Sequence, residues 1–368
     1  MTDDRLDFEV RRDDWATTRF VAGGAPDDLA PGQVRLRVDR FAITANNVSY
    51  ALSGDGLGYW RFFPAGDEGW GRVPAMGFGD VVASRHPEVA EGTRCFGFYP
   101  MSRTLTIEPS SVGAGGIMDG AKHRAGLAPT YAQYAPVASD PAHRPEFEDA
   151  IILMRGLFLT SFLAEDFLDD AGLHGAESVL VTSASSKTAI ALGFQVRKRG
   201  RARAVGLTSA RNFGFVKGLG CYDDVVTYDA VDCLDAGAPA GIVDMAGYGE
   251  LTATLHHHYR DQLKFDCAIG ATHWEAPRSG AELPGARPEF FFAPSQIQKR
   301  SREWGPAEFR ARLGEGWQSF AEWSQGWLRV EHATGREALE RAWADTVAGR
   351  VPPSTGIVRS LWEPGASD

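Results

Sequence analysis

One stretch limits the possible folds more than any other: ESVLVTSASSKTAIALGF, residues 177–194. An apolar run at 178–182, short enough for a strand, passes through small and hydroxyl-bearing residues into apolar residues at helical spacing over 188–199. The pattern then recurs. Strand-like runs at 204–207, 225–228, 241–245 and 267–269 alternate with helical patterns at 212–218 and 248–259. Alternation of this length predicts an α/β unit, a Rossmann-type doubly wound parallel sheet with helices on both faces.

The preceding residues have another texture. From 29 to 136 short alternating runs separated by turn residues predict a β-rich module with long loops, including the glycine- and aromatic-rich stretch 53–72. The change comes near Glu146, after which 153–168 carries apolar residues at helical spacing. Beyond Pro294 the sequence predicts helices at 306–327 and 336–349 and a last strand at 356–361. Three segments are expected: 1–145, 146–293, and a tail 294–368 that rejoins the first module, where its strand finds a partner.

A formal charge of −10 with dispersed basic residues argues against a nucleic-acid partner. The densest basic run, 197–203, reads as a solvated helix end favoured by the helix dipole. The cysteines at 95, 221, 233 and 267 lack CxxC spacing and read as small buried hydrophobes in a reducing compartment. No run of 18 apolar residues occurs, and the first residues have neither signal-peptide nor transit character, so a cytoplasmic location is expected.

Several motifs occur in an order that resembles the medium-chain dehydrogenase/reductase superfamily. LAPGQVRLRV at 29–38 looks like its opening strand, and ITANN at 43–47 the loop that follows. GFGDVV at 77–82 with EGTRCFG at 91–97 looks like its paired strands, and TYAQY at 130–134 is similar to a further one. LFLTSF at 157–162 matches the helix whose threonine, here Thr160, faces nicotinamide in many members, and GIVRSL at 356–361 fits the closing strand. The resemblance implies a GroES-like β-rich domain beside the Rossmann unit, and a homodimer joined through Rossmann edge strands. Zinc-binding members place a cysteine in the loop and a Gly-His-Glu in the next segment. Here those places read TANNVS (44–49) and Gly77-Phe78-Gly79, so nothing holds a catalytic zinc, and no metal is expected. The resemblance is therefore to zinc-free, quinone-oxidoreductase-like members or a divergent branch near them.

The cofactor turn departs from the family too. Where members carry glycines, this chain reads TSASSKTA at 182–189. Ser183, Ser185, Ser186 and Thr188 are small enough to admit pyrophosphate and can hydrogen-bond it at a helix N-terminus, with Lys187 adding charge. The same hydroxyls also suit helix capping. A P-loop reading fails, because no glycine precedes Lys187 at the required spacing. At the end of the next strand stand Thr208, Ser209 and Arg211 instead of the carboxylate that an NAD ribose calls for, so NADPH is the expected cofactor.

Hydride transfer without zinc needs a proton donor. Tyr50 lies in the loop that carries active-site groups in the family, with Asn46 or Asn47 placed to orient substrate or carboxamide; Tyr131 and His273 are further candidates. For each tyrosine a half-buried aromatic with a satisfied hydroxyl is the plainer reading. The aromatic segments 59–64 and 290–294 read as irregular walls of an acceptor pocket, or as core or subunit contact. Lys299 is a candidate for a cofactor phosphate, or part of a basic helix end. Adjacent His256, His257 and His258 point about 100° apart on a helix and cannot chelate together. The expected function is zinc-independent, NADPH-dependent reduction of a small conjugated or simple carbonyl. Non-redox lyase or isomerase chemistry with a retained nicotinamide, or a non-catalytic NADPH sensor, remain alternatives.

Overall fold

The computed structural model describes residues 6–23, 28–269 and 283–363. The chain divides into two compact units, one of Met1–Leu153 with Leu328–Asp368, the other of Met154–Trp327.

In chain order the first unit opens with β1 (Leu6–Arg11), β2 (Thr18–Ala22), β3 (Val34–Ile43), helix α1 (Ala45–Leu52), β4 (Trp70–Gly71), β5 (Pro74–Ser84), β6 (Arg94–Pro100), β7 (Thr104–Ile107), β8 (Pro109–Gly113), β9 (Gly116–Asp119), β10 (Gln133–Pro136) and the short α2 (Glu148–Ala150). The alternation of VRLRVDRFAI appears in β3, whose Val34, Leu36 and Val38 are buried while the arginines between them are not. Gly77 has a steric reason: a Cβ there would stand 2.6 Å from the Arg40 carbonyl on the paired strand β3. Phe78 is fully buried against Phe96. Burial of such a ring contributes about 1.5–3 kcal/mol.

The second unit contains α3 (Gly156–Asp170), β11 (Ser178–Val181), α4 (Lys187–Arg199), β12 (Arg203–Thr208), α5 (Phe213–Leu219), β13 (Asp224–Thr227), β14 (Ala240–Asp244), α6 (Gly249–Tyr259), β15 (Leu263–Ile269), β16 (Pro288–Phe291), α7 (Ala293–Glu303) and α8 (Pro306–Ser324). Its six strands pair in parallel in the order β13-β12-β11-β14-β15-β16, the doubly wound arrangement in which order reverses beside β11. Val179, Leu180 and Val181 are fully buried, as a central parallel strand requires. Ser186 caps α4, its Oγ accepting from the Ala189 amide, and Gly200 ends the helix at φ 69°. The basic run is spent internally: Arg199 pairs with Glu165 and Asp169, Arg201 with Asp169, and Arg203 with Asp224.

The last strands, β17 (Arg329–Thr334) and β18 (Thr355–Ser360), flank α9 (Arg336–Val347). They complete a nine-stranded sheet in the first unit, with path β17-β18-β3-β5-β6-β10-β9-β8 and β7 also on β3; β2-β1-β4 form a separate small sheet. Trp343 of α9 is fully buried, and its indole donates to the Trp15 carbonyl.

Three expectations need correction. The tail leaves the second unit at Leu328 and not at Pro294, because α7 and α8 pack on α3: Arg300 pairs with Asp166 at 2.6 Å, and Phe320 stacks on Phe158 with centroids 5.2 Å apart. Phe290 and Phe291 belong to the regular strand β16, which a run of large rings after Pro288 obscures. Cys233 is exposed; Cys95, Cys221 and Cys267 are buried. Among the described residues no helix is long and apolar enough to cross a membrane.

Candidate functional site

In the second unit the turn from β11 to α4 stands at the carboxyl end of the sheet, beside the order reversal. Ser183 adopts φ 50°, the left-handed conformation that glycine would take at little cost. The turn keeps a glycine-like backbone without glycine. Its neighbours hold it there. Thr182 donates to Asp244 Oδ1 at 2.7 Å and accepts from the Met245 and Ala246 amides, tying the turn to the end of β14. The Ala184 amide donates to the Leu207 carbonyl at 3.0 Å, and the Tyr228 phenol hydrogen-bonds to Ser183. Beneath the turn, buried Tyr222 directs its hydroxyl to the carbonyls of Ala189 at 2.7 Å and Ala184 at 3.1 Å. That ring fits because Gly193 and Gly206 lack a Cβ; one at Gly193 would lie 2.4 Å from it. Sequence reading missed Asp244 and Tyr222; the glycines at 193 and 206 were the available signal for a close helix–strand approach.

The Ser186 oxygen accepts the cap bond, which leaves its hydroxyl hydrogen to donate. Ser185 Oγ accepts from the Asn212 amide at 3.0 Å, which joins this turn to the one after β12. The Thr188 carbonyl accepts from Ser161 at 2.7 Å. Thr160, next to Ser161, donates to its own helix at the Gly156 carbonyl. Lys187, half-buried in the first helical turn, has its pKa pushed down by burial to about 8.

At the end of β12 the expected residues divide. Arg211 is exposed, and Ser209 is half-buried ahead of the short 3₁₀ turn Ala210–Asn212. Thr208 is 1% exposed, and its hydroxyl has no hydrogen-bond partner among the described residues. An orphaned buried hydroxyl costs about 1–3 kcal/mol, and such a group at the end of β12 fits a site completed by a bound polar molecule. Small side chains, a helix N-terminus, an exposed guanidinium and no carboxylate at 208–212 together suit a dinucleotide carrying an extra phosphate.

In the first unit a tyrosine cluster forms. Asn46 donates to the Tyr50 hydroxyl at 2.7 Å, one helical turn along α1. Asn47 does something else: its Oδ1 accepts from the Thr44 amide and its Nδ2 donates to the Pro74 carbonyl, fixing the start of α1. Tyr50 meets Tyr59 edge-on with centroids 4.8 Å apart, and Tyr59 hydrogen-bonds to Tyr131. Phe62 and Phe98 pack on Tyr131 at 4.9 and 5.4 Å. Burial holds the Tyr50 and Tyr59 phenols well above their ordinary pKa, so both remain neutral donors at physiological pH. The loop expected to wall a pocket is mostly core, since Trp60, Phe62 and Phe63 are buried, and Tyr59 is its member at the cluster's edge.

Other candidates fall elsewhere. Lys299 pairs with Asp170 at the end of α3, which leads into the amino end of β11, opposite the β11–α4 turn. His256 lies between Asp266, 2.9 Å from Nε2, and the Pro284 carbonyl, 2.8 Å from Nδ1, whereas His258 meets the Leu234 carbonyl. The His256 pKa is raised although burial opposes the charge, because both of its ring nitrogens face acceptors. His273 lies outside the described residues.

A family model described as "Protein of unknown function (DUF2855)" matches residues 41–352. No curated protein matches the chain. Among solved structures, CurA in complex with NADPH from Vibrio vulnificus is similar at 16% identity and TM-score 0.56, over 94% of this chain and 95% of that one. The quinone oxidoreductase from Coxiella burnetii is similar at 14% identity and TM-score 0.54, over 97% and 99%. The yhdH oxidoreductase from Salmonella enterica in complex with NADP gives 15% and 0.52, over 97% and 100%. At such identities the likeness is one of fold, and the fold is that of the medium-chain dehydrogenase/reductase superfamily.

Proposed function

Given that the chain belongs to the DUF2855 family and has the medium-chain dehydrogenase/reductase fold, we propose that it is an NADPH-dependent, zinc-independent reductase of a small carbonyl compound. The observation that carries this reading is the turn at 182–189, which takes the left-handed backbone of a phosphate-binding turn at Ser183 and is followed by a carboxylate-free strand end bearing Arg211. Similar folds with NADPH or NADP bound support it.

In this reading Ser183, Ser185, Ser186, Lys187 and Thr188 take the pyrophosphate, and Ser209 with Arg211 the additional phosphate; Thr208 finds its missing partner in the same molecule. Bound NADPH supplies a hydride to the acceptor carbon. The charge that this leaves on the acceptor oxygen takes a proton from Tyr50 or Tyr131, which solvent then restores, so each turnover consumes one hydride and one proton. Asn46 donates into the Tyr50 oxygen, which leaves the phenol proton free to be given and stabilises the phenolate that forms. No thiolate or imidazole stands in the 44–49 segment to hold a Lewis acid, so the phenols do that work.

Titration with NADPH and NADH, then turnover with menadione and trans-chalcone, tests the proposal. NADPH should bind at least about tenfold tighter than NADH, and Arg211→Ala should lose about 1.5–3 kcal/mol toward NADPH alone. Binding of neither nucleotide would sink the reading. Consumption of a substrate without net NADPH oxidation would replace it with non-redox chemistry. The reading extends to a homodimer joined through β16, one of the two edge strands of the parallel sheet among the described residues, where Phe290 in the strand and Phe292 just after it are exposed.

A further inference from the structure

Behind the tyrosine cluster lies a charge pair that the reaction above does not use. Arg124 and Asp119 have side chains each only 2% exposed, with Arg124 Nε 3.1 Å from Asp119 Oδ2 in an ion pair that lacks a well-directed hydrogen bond. Asp119 Oδ1 is occupied by the amides of Glu108 and Ala121. The remaining guanidinium nitrogens are aimed at two segments of the cluster. Nη1 donates to the Tyr131 carbonyl at 3.3 Å, and Nη2 to the Tyr134 hydroxyl at 2.9 Å. Tyr134 passes the contact on, donating at 2.8 Å to the carbonyl of Phe98, whose ring packs on Tyr50, Phe62 and Tyr131. The guanidinium also stacks 4.6 Å from the centroid of Phe63, neighbour of Phe62.

Stability alone is a poor reason for such a pair. Replacing a buried ion pair with well-packed apolar residues is often neutral or stabilising. What the pair offers is direction: a rigid planar fork reaching three different segments, which an apolar side chain cannot reproduce.

We infer that Arg124, held by Asp119, is a positioning residue for the proton-donating tyrosines, fixing Tyr131 and Phe98 so that the Tyr59–Tyr131 hydrogen bond and the Tyr50 ring keep their places. This inference rests on the proposed reductase reading only for the word "proton-donating"; the geometric claim stands without it.

The test uses the full-length chain and the double variant Arg124→Met with Asp119→Asn, which removes both charges and keeps an Oδ1 acceptor for the Glu108 and Ala121 amides. Arg124→Lys serves as a second variant that keeps the charge and loses the fork. Each is measured for urea stability, NADPH affinity, and kcat and KM with menadione and trans-chalcone. The expected result is a folded protein with NADPH affinity within about twofold of the parent and kcat lowered about ten- to a hundredfold, the scale that small misplacements cost. A folded variant that retains full kcat overturns the inference. Fluorine NMR of protein labelled with meta-fluorotyrosine supplies a readout independent of turnover, with the Tyr131 line assigned through Tyr131→Phe. That line should shift or broaden in either variant; an unmoved line overturns the inference even if the parent reduces neither probe, a result that would count against the reductase reading instead.

Discussion

Ser183 shows how a single residue can hide a turn. Its φ of 50° places a Cβ where L-residues incur about 1–2 kcal/mol, yet bonds from Thr182, Ala184 and Tyr228 leave the backbone no other course. Ser183→Gly should therefore raise stability by up to about 1 kcal/mol, while Ser183→Val should lower it by more than about 1 kcal/mol and weaken NADPH binding. Thermal unfolding of the pair checks the order, and equal stability would remove the claim of strain. Four residues on, Lys187 gives a pH signature. Burial lowers its pKa to about 8, so the free protein loses this charge above pH 8, whereas a bound phosphate favours the charged form. Binding then takes up a proton: NADPH affinity should be level below pH 8 and fall with rising pH above it, by no more than tenfold per unit, and Lys187→Met should flatten the profile. Without ligand the unfolded chain, with an ordinary lysine pKa of 10.5, holds more protons between pH 8 and 10.5. This residue's contribution to stability therefore rises with pH across that window. Isothermal titration in buffers of differing ionisation enthalpy reads the proton uptake directly.

At the scale of elements, α7 shows where the basic segment 299–300 spends its charge. Lys and Arg after a proline look like phosphate ligands in sequence, but on α7 they turn toward α3, where Asp166 and Asp170 await them. Arg300 and Asp166 are both buried, and Gln296 also donates to Asp166. Arg300→Met should cost about 3–5 kcal/mol, because it leaves a buried carboxylate short of its cation. Urea unfolding measures this, and NADPH affinity in the folded variant should be unchanged; a loss of affinity would return this segment to the cofactor site. The β11–α4 element was legible from its pattern alone because an apolar strand run, small turn residues and a helical period are all local signals. Strand β16 was not, since its status comes from pairing with β15, a partner remote in sequence.

At the scale of the whole molecule, the homodimer proposal is a statement about β16, with Phe290 in the strand and Phe292 just after it 46% and 57% exposed. Light scattering on the parent should give twice the 39.9 kDa chain mass, and Phe290→Asp with Phe292→Asp should shift it toward one chain with NADPH still bound. A monomeric parent would end the proposal. The sequence by itself determined that a β-rich module precedes a doubly wound sheet and that a strand-to-helix turn of small and hydroxyl-bearing residues lies at 182–189, because periodicity and turn chemistry act over a few neighbouring residues. It also supplied Tyr50, Tyr131 and Asn46 as candidates, through resemblance. Only the tertiary structure decided that Tyr59 joins Tyr131, that Asp244 and Tyr222 brace the turn, that Lys299 is spent on Asp170, and that the chain returns to its first unit at Leu328. Each of those outcomes depends on which side chains meet across long loops of chain, where burial and pairing select one partner among many and no local pattern records the choice.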